Sequence, residues 1–258
     1  MTYSPLNDFL LSQLFSFLLI FCRTGSAVML LPGFGEAYIA PRIRLLFALA
    51  LAILLTPLLT SKIPAMPASG LGLGVLMIGE ILIGLFIGTL ARTILAAIHT
   101  TGTMISLQTS LSSAIIFDPT NAIQSSVVSN LLTITALTLF FTLNLHHYAI
   151  AALVQSYDIF TPGHFPDVGD MNQLELRTFS NTFTLGIMLA SPHIVYGLLF
   201  YMAGGLMNRL MSSFQVFFVM MSPQILIGML LLFAIIPMLM RVFTGYMEDQ
   251  FSHFLVPI

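Results

Sequence analysis

Residues 71–91 read LGLGVLMIGEILIGLFIGTLA, and this stretch decides the fold class of the chain. Glu80 is its one charged residue. A helix needs about 20 predominantly apolar residues to cross the hydrocarbon core of a bilayer. Membrane β-strands would instead alternate apolar and polar residues over short segments. The stretch therefore predicts a helix that crosses a membrane or lies in an equally apolar protein environment.

Five stretches of similar composition accompany this one along the chain. The six ranges are 9–31, 43–59, 71–91, 127–154, 182–206 and 216–239. Proline removes a backbone donor and tends to kink a helix, and prolines fall within three of these ranges, at Pro57, Pro192, Pro223 and Pro237. We predict an all-α chain of about six long apolar helices, arranged as membrane-associated hairpins and in several cases broken by proline.

The composition supports a membrane or membrane-derived environment. Hydrophobic residues make up 57% of the 258 positions and charged residues only 7%, against about a quarter in ordinary soluble domains. Lipid or other apolar subunits must therefore cover much of the surface. The net charge of -2, without a Lys/Arg cluster, argues against a nucleic-acid partner. Cys22 is the single cysteine, which excludes an intrachain disulfide.

Glu80 is the candidate buried charge. An ionisable group inside a membrane helix costs about 2.5–3.5 kcal/mol on insertion scales, so it normally has a partner. Arg92 lies about 18 Å further along the same helix and cannot be that partner. We expect a structural partner on another helix or subunit, with a proton relay as the alternative. Gly79, Gly84 and Gly88 are candidate helix-packing positions, because small residues at GxxxG spacing let helix backbones approach closely.

Residues 100–126, TTGTMISLQTSLSSAIIFDPTNAIQSS, form the most unusual segment. This stretch is rich in Ser and Thr, yet it contains the apolar residues 114–117. Asp118 before Pro119 fits the start of a helix, with Asp as the N-cap. Either the apolar residues pack against neighbouring helices, or they form a stopper across a channel, since irregular backbone at membrane depth survives where it lines a cavity.

No pattern in the chain indicates catalysis or metal binding. His146 and His147 are adjacent, so on a helix they point about 100° apart and cannot ligate one metal together. The sequence has no HExxH motif and no GxSxG motif. We therefore predict a protein that is not an enzyme and holds neither metal nor cofactor.

Three stretches, in this order, resemble the flagellar biosynthetic protein FliR family. They are PGFGEAYIAPRIRLLFALALAILLTPLL at 32–59, GEILIGLFIG at 79–88 and SLQTSLSSAIIFDP at 106–119. The resemblance implies a subunit of the flagellar type III export gate in the bacterial inner membrane, within the flagellar basal body. It also implies FliP-like, FliQ-like and FlhB-like partners, and unfolded flagellar proteins as cargo. By the same resemblance, residues 1–177 would form a FliP-like part and 178–258 a FliQ-like hairpin.

The resemblance further implies a loop that closes the pore, and we call residues 106–119 the plug segment. The gate of this family is a helical assembly largely above the membrane plane, so the six stretches need not be six crossings. Thr109 and Ser110 are more polar than the family pattern. The plug residues carried over are Gln108, Leu111, Ser112, Ala114, Ile115, Ile116, Phe117, Asp118 and Pro119.

Two other functions remain open at this point. The homologous subunit of a virulence-type injectisome would share the fold and differ in its cargo. A small-solute secondary transporter is suggested by the interrupted helices and by Glu80. Against the transporter, no inverted repeat is visible, and the helices carry few polar groups that could bind a solute.

Overall fold

The computed structural model describes residues 5–113, 126–210 and 216–253. These residues form seven α-helices and two 3-10 turns, and none of them lies in a strand. The elements are α1 (Pro5–Leu30), α2 (Pro41–Leu59), α3 (Gly70–Gln108), α4 (Val127–Thr142), α5 (Leu145–Ile159), α6 (Val168–Leu210) and α7 (Val216–His253), with the turns at Thr60–Lys62 and Leu111–Ser113. The predicted all-α class is confirmed.

The helices are those of a membrane protein. Among the described residues, five helices are long and apolar enough to cross a membrane, and the bent pair α4 and α5 adds a sixth if it is one span. This agrees with the prediction of about six long apolar helices.

Three helices are much longer than the apolar stretches that predicted them. Helix α3 has 39 residues, α6 has 43 and α7 has 38. In α3 the polar residues beyond position 91 do not end the helix, and the hydroxyls of two of its threonines bond to the backbone one turn earlier. Thr101 Oγ1 donates to the carbonyl of Ala97 at 2.8 Å, and Thr103 Oγ1 donates to that of His99 at 2.9 Å.

The predicted stretch 127–154 is divided into α4 and α5, whose axes differ by 74°. Asn144, between the two helices, has a φ of 60°. This is the left-handed region, which Asn adopts more readily than most residues with a side chain. The chain therefore bends at an asparagine rather than at a proline.

Helices α2, α6 and α7 continue through their prolines, contrary to the expectation that proline breaks them. Pro57 lies inside α2, Pro192 inside α6, and Pro223 and Pro237 inside α7. A proline removes one hydrogen bond from the helix ladder, and a membrane helix tolerates this where neighbouring groups satisfy the freed carbonyl.

The chain divides into two compact units. The first comprises Met1–Ile94, Phe140–Thr178 and Met247–Ile258, and the second comprises Leu95–Leu139 and Phe179–Tyr246. Helix α3 thus contributes its first part to one unit and its last part to the other. In the first unit, α1 packs against α2. Four apolar residues of α1, Leu19, Ile20, Ala27 and Val28, have no exposed surface.

The core of the second unit is built from the four helices that contribute to it. Ile98 and Ile105 of α3, Leu132 of α4, Ala190 of α6 and Leu232 of α7 have no exposed surface. One face of the end of α3 therefore lies in the interior of this unit, and Ser106 and Thr109 of the plug segment are buried on that face, while Leu107 is exposed.

Candidate functional site

Glu80 lies in the core of the first unit and forms an ion pair. Its residue surface is 2% exposed, and Arg23 of α1 is 0% exposed. Arg23 Nε donates to Glu80 Oε2 at 2.6 Å, and Arg23 Nη2 donates to Glu80 Oε1 at 3.1 Å. The guanidinium fork thus engages both carboxylate oxygens, which is the strong geometry for this type of pair.

Helix α5 supplies the remaining contacts of the Arg23 guanidinium. Nη1 donates to Ser156 Oγ at 3.2 Å, and Nη2 donates to the carbonyl of Phe160, just after α5, at 2.9 Å. The guanidinium carbon lies 3.9 Å from the centre of the Tyr157 ring, within the range of a cation–π interaction. One arginine therefore connects α1, α3 and the end of α5. These contacts are those of a structural cross-link between helices and not those of a solute-binding site.

Two of the three candidate packing glycines lie against α1. A Cβ at Gly84 would collide with Ser26 Oγ and with the carbonyl oxygen of Arg23, and one at Gly88 would lie 2.7 Å from Leu30 Cβ. At Gly79 a Cβ would meet only the Cδ of Pro166, at 4.0 Å. The close approach of α1 and α3 therefore needs glycine at 84 and 88, and no such contact needs it at 79.

The structure describes the plug segment from Ser106 to Ser113. The carried-over residues Ala114, Ile115, Ile116, Phe117, Asp118 and Pro119, and with them the predicted helix start at Pro119, lie outside the described residues. Helix α3 ends at Gln108, and Ser110 follows with a φ of 59°. Left-handed residues commonly end helices, although glycine is the usual choice. Leu111 and Ser112 belong to the 3-10 turn that comes next.

In the second unit, the last residue of α3 is held by α7, which in turn is held by α6. Gln224 Nε2 donates to the carbonyl oxygen of Gln108 at 2.9 Å. Tyr196 Oη donates to the carbonyl oxygen of Gln224 at 2.8 Å. His193 Nε2 donates to the carbonyl oxygen of Gly228 at 3.3 Å. These hydrogen bonds fix the point from which the plug segment leaves α3.

Glycine at two positions of α6 and α7 leaves the space that the end of α3 occupies. A Cβ at Gly197 of α6 would collide with Gln108 Oε1, and a Cβ at Gly228 of α7 would collide with Thr109 Cγ2. We call Tyr196, Gly197, Gln224 and Gly228 the α3-end cluster.

The α3-end cluster is not predicted by the sequence patterns described above. A usable signal is nevertheless present, since Gln224 is a large polar residue in a mostly apolar run, and such a residue normally faces protein and has a partner. The spacing of His146 and His147 predicts that these two side chains do not share a metal ion. In the described part of the chain, no group of three or more His, Cys, Asp or Glu side chains could hold a metal ion.

Replacing Glu80 with glutamine should destabilise the protein strongly. The variant keeps the size of the side chain but leaves the buried Arg23 without a counter-charge, which typically costs about 3–5 kcal/mol. The measurement is the free energy of unfolding in detergent micelles. Glu248→Gln, at an exposed position of α7, is the matched control and should stay within about 0.5 kcal/mol of the original protein. Equal losses in the two variants would contradict the structural role of Glu80.

Gly84→Ala and Gly79→Ala should have opposite effects on the same measurement. The first introduces a methyl group into the backbone contact with α1, and such overpacking costs about 1–3 kcal/mol. The second places a methyl group in open space and replaces a helical glycine, so stability should be unchanged or should rise by up to about 1 kcal/mol. If Gly84→Ala is as stable as Gly79→Ala, the contact between α1 and α3 is not as close as described.

Comparison with known proteins identifies the family. The sequence model of the family described as "Bacterial export proteins, family 1" matches residues 14–250. The flagellar biosynthetic protein FliR of Caulobacter vibrioides is 40% identical over 220 residues, which cover 85% of this chain and 88% of that one. The FliR of Escherichia coli is 28% identical over 222 residues, covering 86% and 82%. That of Aquifex aeolicus is 26% identical over 241 residues, covering 93% of each chain. Since the match extends over nearly the whole chain, the chain belongs to the FliR family of flagellar export proteins.

Proposed function

We propose that this chain is a non-catalytic core subunit of the flagellar type III protein export gate. It helps to form and to close the channel for unfolded flagellar subunits, and flagellum assembly requires it. The observation that carries the flagellar assignment is the similarity to the flagellar biosynthetic protein FliR of Caulobacter vibrioides, 40% identical over 220 residues. The proposed location is the inner membrane, within the flagellar basal body.

The surface of the second unit supports a role within an assembly. Large apolar side chains of α6 and α7 are each more than half exposed, namely Leu198, Leu199, Met202, Leu206, Phe218, Leu226, Leu230, Phe233 and Met238. Apolar surface on this scale has to be covered by lipid or by other apolar subunits. The proposed partners are FliP-like, FliQ-like and FlhB-like subunits together with membrane lipid.

The proposed division of the chain assigns residues 1–177 to a FliP-like part and 178–258 to a FliQ-like hairpin. In this proposal α6 and α7 supply the two arms of the hairpin. Helix α6 runs from Val168 to Leu210 without interruption, so the boundary would lie inside a continuous helix.

Closure of the channel is assigned to the plug segment. Its apolar residues Ile115, Ile116 and Phe117 follow shortly after the turn at Leu111–Ser113. An apolar constriction blocks ions and small solutes by excluding water. The fixed end of α3 supports this role, since a plug needs a defined point of attachment.

The geometry of Glu80 weighs against a small-solute transporter. Both carboxylate oxygens are engaged by Arg23, and the residue is nearly inaccessible. The side chain that suggested a solute or proton site is therefore occupied by a structural contact.

Deleting the gene from its bacterium should remove hook and filament proteins from the medium. The protein composition of the culture supernatant measures this, and supplying the gene in trans should restore both secretion and motility. Proteins secreted by other routes are the internal control and should be unaffected. Loss of a different set of secreted proteins would indicate an injectisome, and an unchanged supernatant would contradict an export function.

The double variant Ile115→Ser with Phe117→Ser should make resting membranes permeable to ions and small dyes. Two hydroxyl groups allow water to enter the apolar constriction, so we expect a dye flux at least about tenfold above that of the original protein. Dye efflux from membrane vesicles is the measurement, with the amount of assembled gate determined in parallel. The control is Ile115→Val with Phe117→Leu, which remains apolar and should stay tight. A correctly assembled serine variant that does not leak would contradict the plug assignment.

A further inference from the structure

The carbonyl group of Gln108 needs a partner that its own helix cannot supply. The last four carbonyl groups of an α-helix lack intrahelical donors, and Gln108 is the last residue of α3. The next residues, Thr109 and Ser110, are 0% and 9% exposed, whereas Leu107 is 50% exposed and Gln108 is half-buried, so this helix end lies partly inside protein. A buried carbonyl without a donor is unfavourable, and more so in an apolar environment.

Gln224 supplies the missing donor from another helix. Its side-chain amide lies 2.9 Å from the carbonyl oxygen of Gln108, and the residue is 4% exposed. The two residues are 116 positions apart in the sequence. We propose that Gln224 is a positioning residue for the end of α3, in that its amide fixes the point at which residues 109–113 of the plug segment leave this helix. The inference rests on the proposed closing function of that segment.

The backbone of Gln224 is itself held in place. Tyr196 of α6 donates its hydroxyl to the carbonyl oxygen of Gln224 at 2.8 Å. One turn further along α7, the carbonyl oxygen of Gly228 accepts from the imidazole of His193, at 3.3 Å. The backbone of α7 at Gln224 is therefore fixed relative to α6, which defines the position from which the Gln224 side chain reaches α3.

Close packing between α3 and the helices α6 and α7 also restricts where the end of α3 can lie. Gly197 leaves space for the Gln108 side chain and Gly228 leaves space for Thr109, since a methyl group at either glycine would collide with these side chains. Thr109 also donates its hydroxyl to the carbonyl of Ile105 at 2.9 Å. A displacement of α6 and α7 would thus act first on Gln108 and Thr109, the two residues of the plug segment that come shortly before its turn at Leu111–Ser113.

Gln224→Glu and Gln224→Met test this role in complementary ways. Glutamate replaces the donor with a carboxylate that faces a carbonyl oxygen, and methionine removes the donor while keeping a similar length without charge. Gln173→Glu, at an exposed position of α6, makes the same chemical change away from the contact and is the matched control.

The experiment is carried out on assembled gates purified from native membranes. Hydrogen exchange of the backbone amides of residues 109–113 is compared among the variants, together with dye efflux from the corresponding vesicles. Loss of the hydrogen bond should accelerate exchange in these amides by about tenfold, with a larger effect for glutamate than for methionine. Exchange in α1 and α2 should not change, and Gln173→Glu should behave as the original protein. Dye efflux should rise in the Gln224 variants at unchanged amounts of assembled gate.

The outcomes separate this inference from the function on which it rests. Unchanged exchange at 109–113 in assembled Gln224→Met and Gln224→Glu gates would overturn the role of Gln224. Failure of Gln224→Met to assemble would overturn it as well, because the residue would then be needed for folding in general. If the plug variant with Ser at 115 and 117 does not leak, the closing function fails, while the exchange result still decides whether Gln224 positions the segment. A leaky plug variant with tight, assembled Gln224 variants would leave the closing function standing and overturn the positioning role.

Discussion

Arg23 and Glu80 place two full charges in the interior of a chain that is otherwise almost wholly apolar. Each charge alone would be very costly there, and together they remain favourable only in a narrow geometry that satisfies the other donors of the guanidinium. Ser156, the carbonyl of Phe160 and the Tyr157 ring complete that geometry. Because generic apolar packing would allow α1 and α3 to slide along each other, this directional contact fixes their register within the first unit. Gly84 and Gly88 then let the two backbones approach closely.

Directional contacts also fix the positions of helices in the second unit, but these contacts are weaker than an ion pair. Its directional contacts are neutral hydrogen bonds, from Gln224, Tyr196 and His193 to backbone carbonyl groups. Leaving a buried neutral donor or acceptor without its partner costs about 1–3 kcal/mol, whereas leaving a buried charge without its partner costs about 3–5 kcal/mol. Contacts of this strength can be exchanged for others at small cost. This is a suitable property for the attachment point of a segment that is proposed to close a channel and therefore also to open it.

The exposed apolar faces of α6 and α7 are compatible with two kinds of surroundings, lipid and other apolar subunits. A membrane helix that faces lipid and one that faces another apolar subunit present the same kind of surface, since lipid tails are as apolar as leucine. Composition therefore indicates that the surface is covered without distinguishing lipid from protein. The proposed hetero-oligomeric gate assigns part of this surface to FliP-like and FliQ-like subunits.

The sequence by itself determined the fold class, the need for a partner at Glu80 and the unusual character of residues 106–119. These features depend on local composition and on the cost of placing a charge in an apolar helix, which can be evaluated without knowing the neighbours. Only the tertiary structure identified Arg23, 57 positions away, as the partner of Glu80, and Gln224, 116 positions away, as the partner of Gln108. Neither pairing follows from helical periodicity, because contacts between helices depend on how they cross. The bend at Asn144 also required the structure, since the apolar run continues on both sides of it and the left-handed conformation of one asparagine leaves no mark on composition.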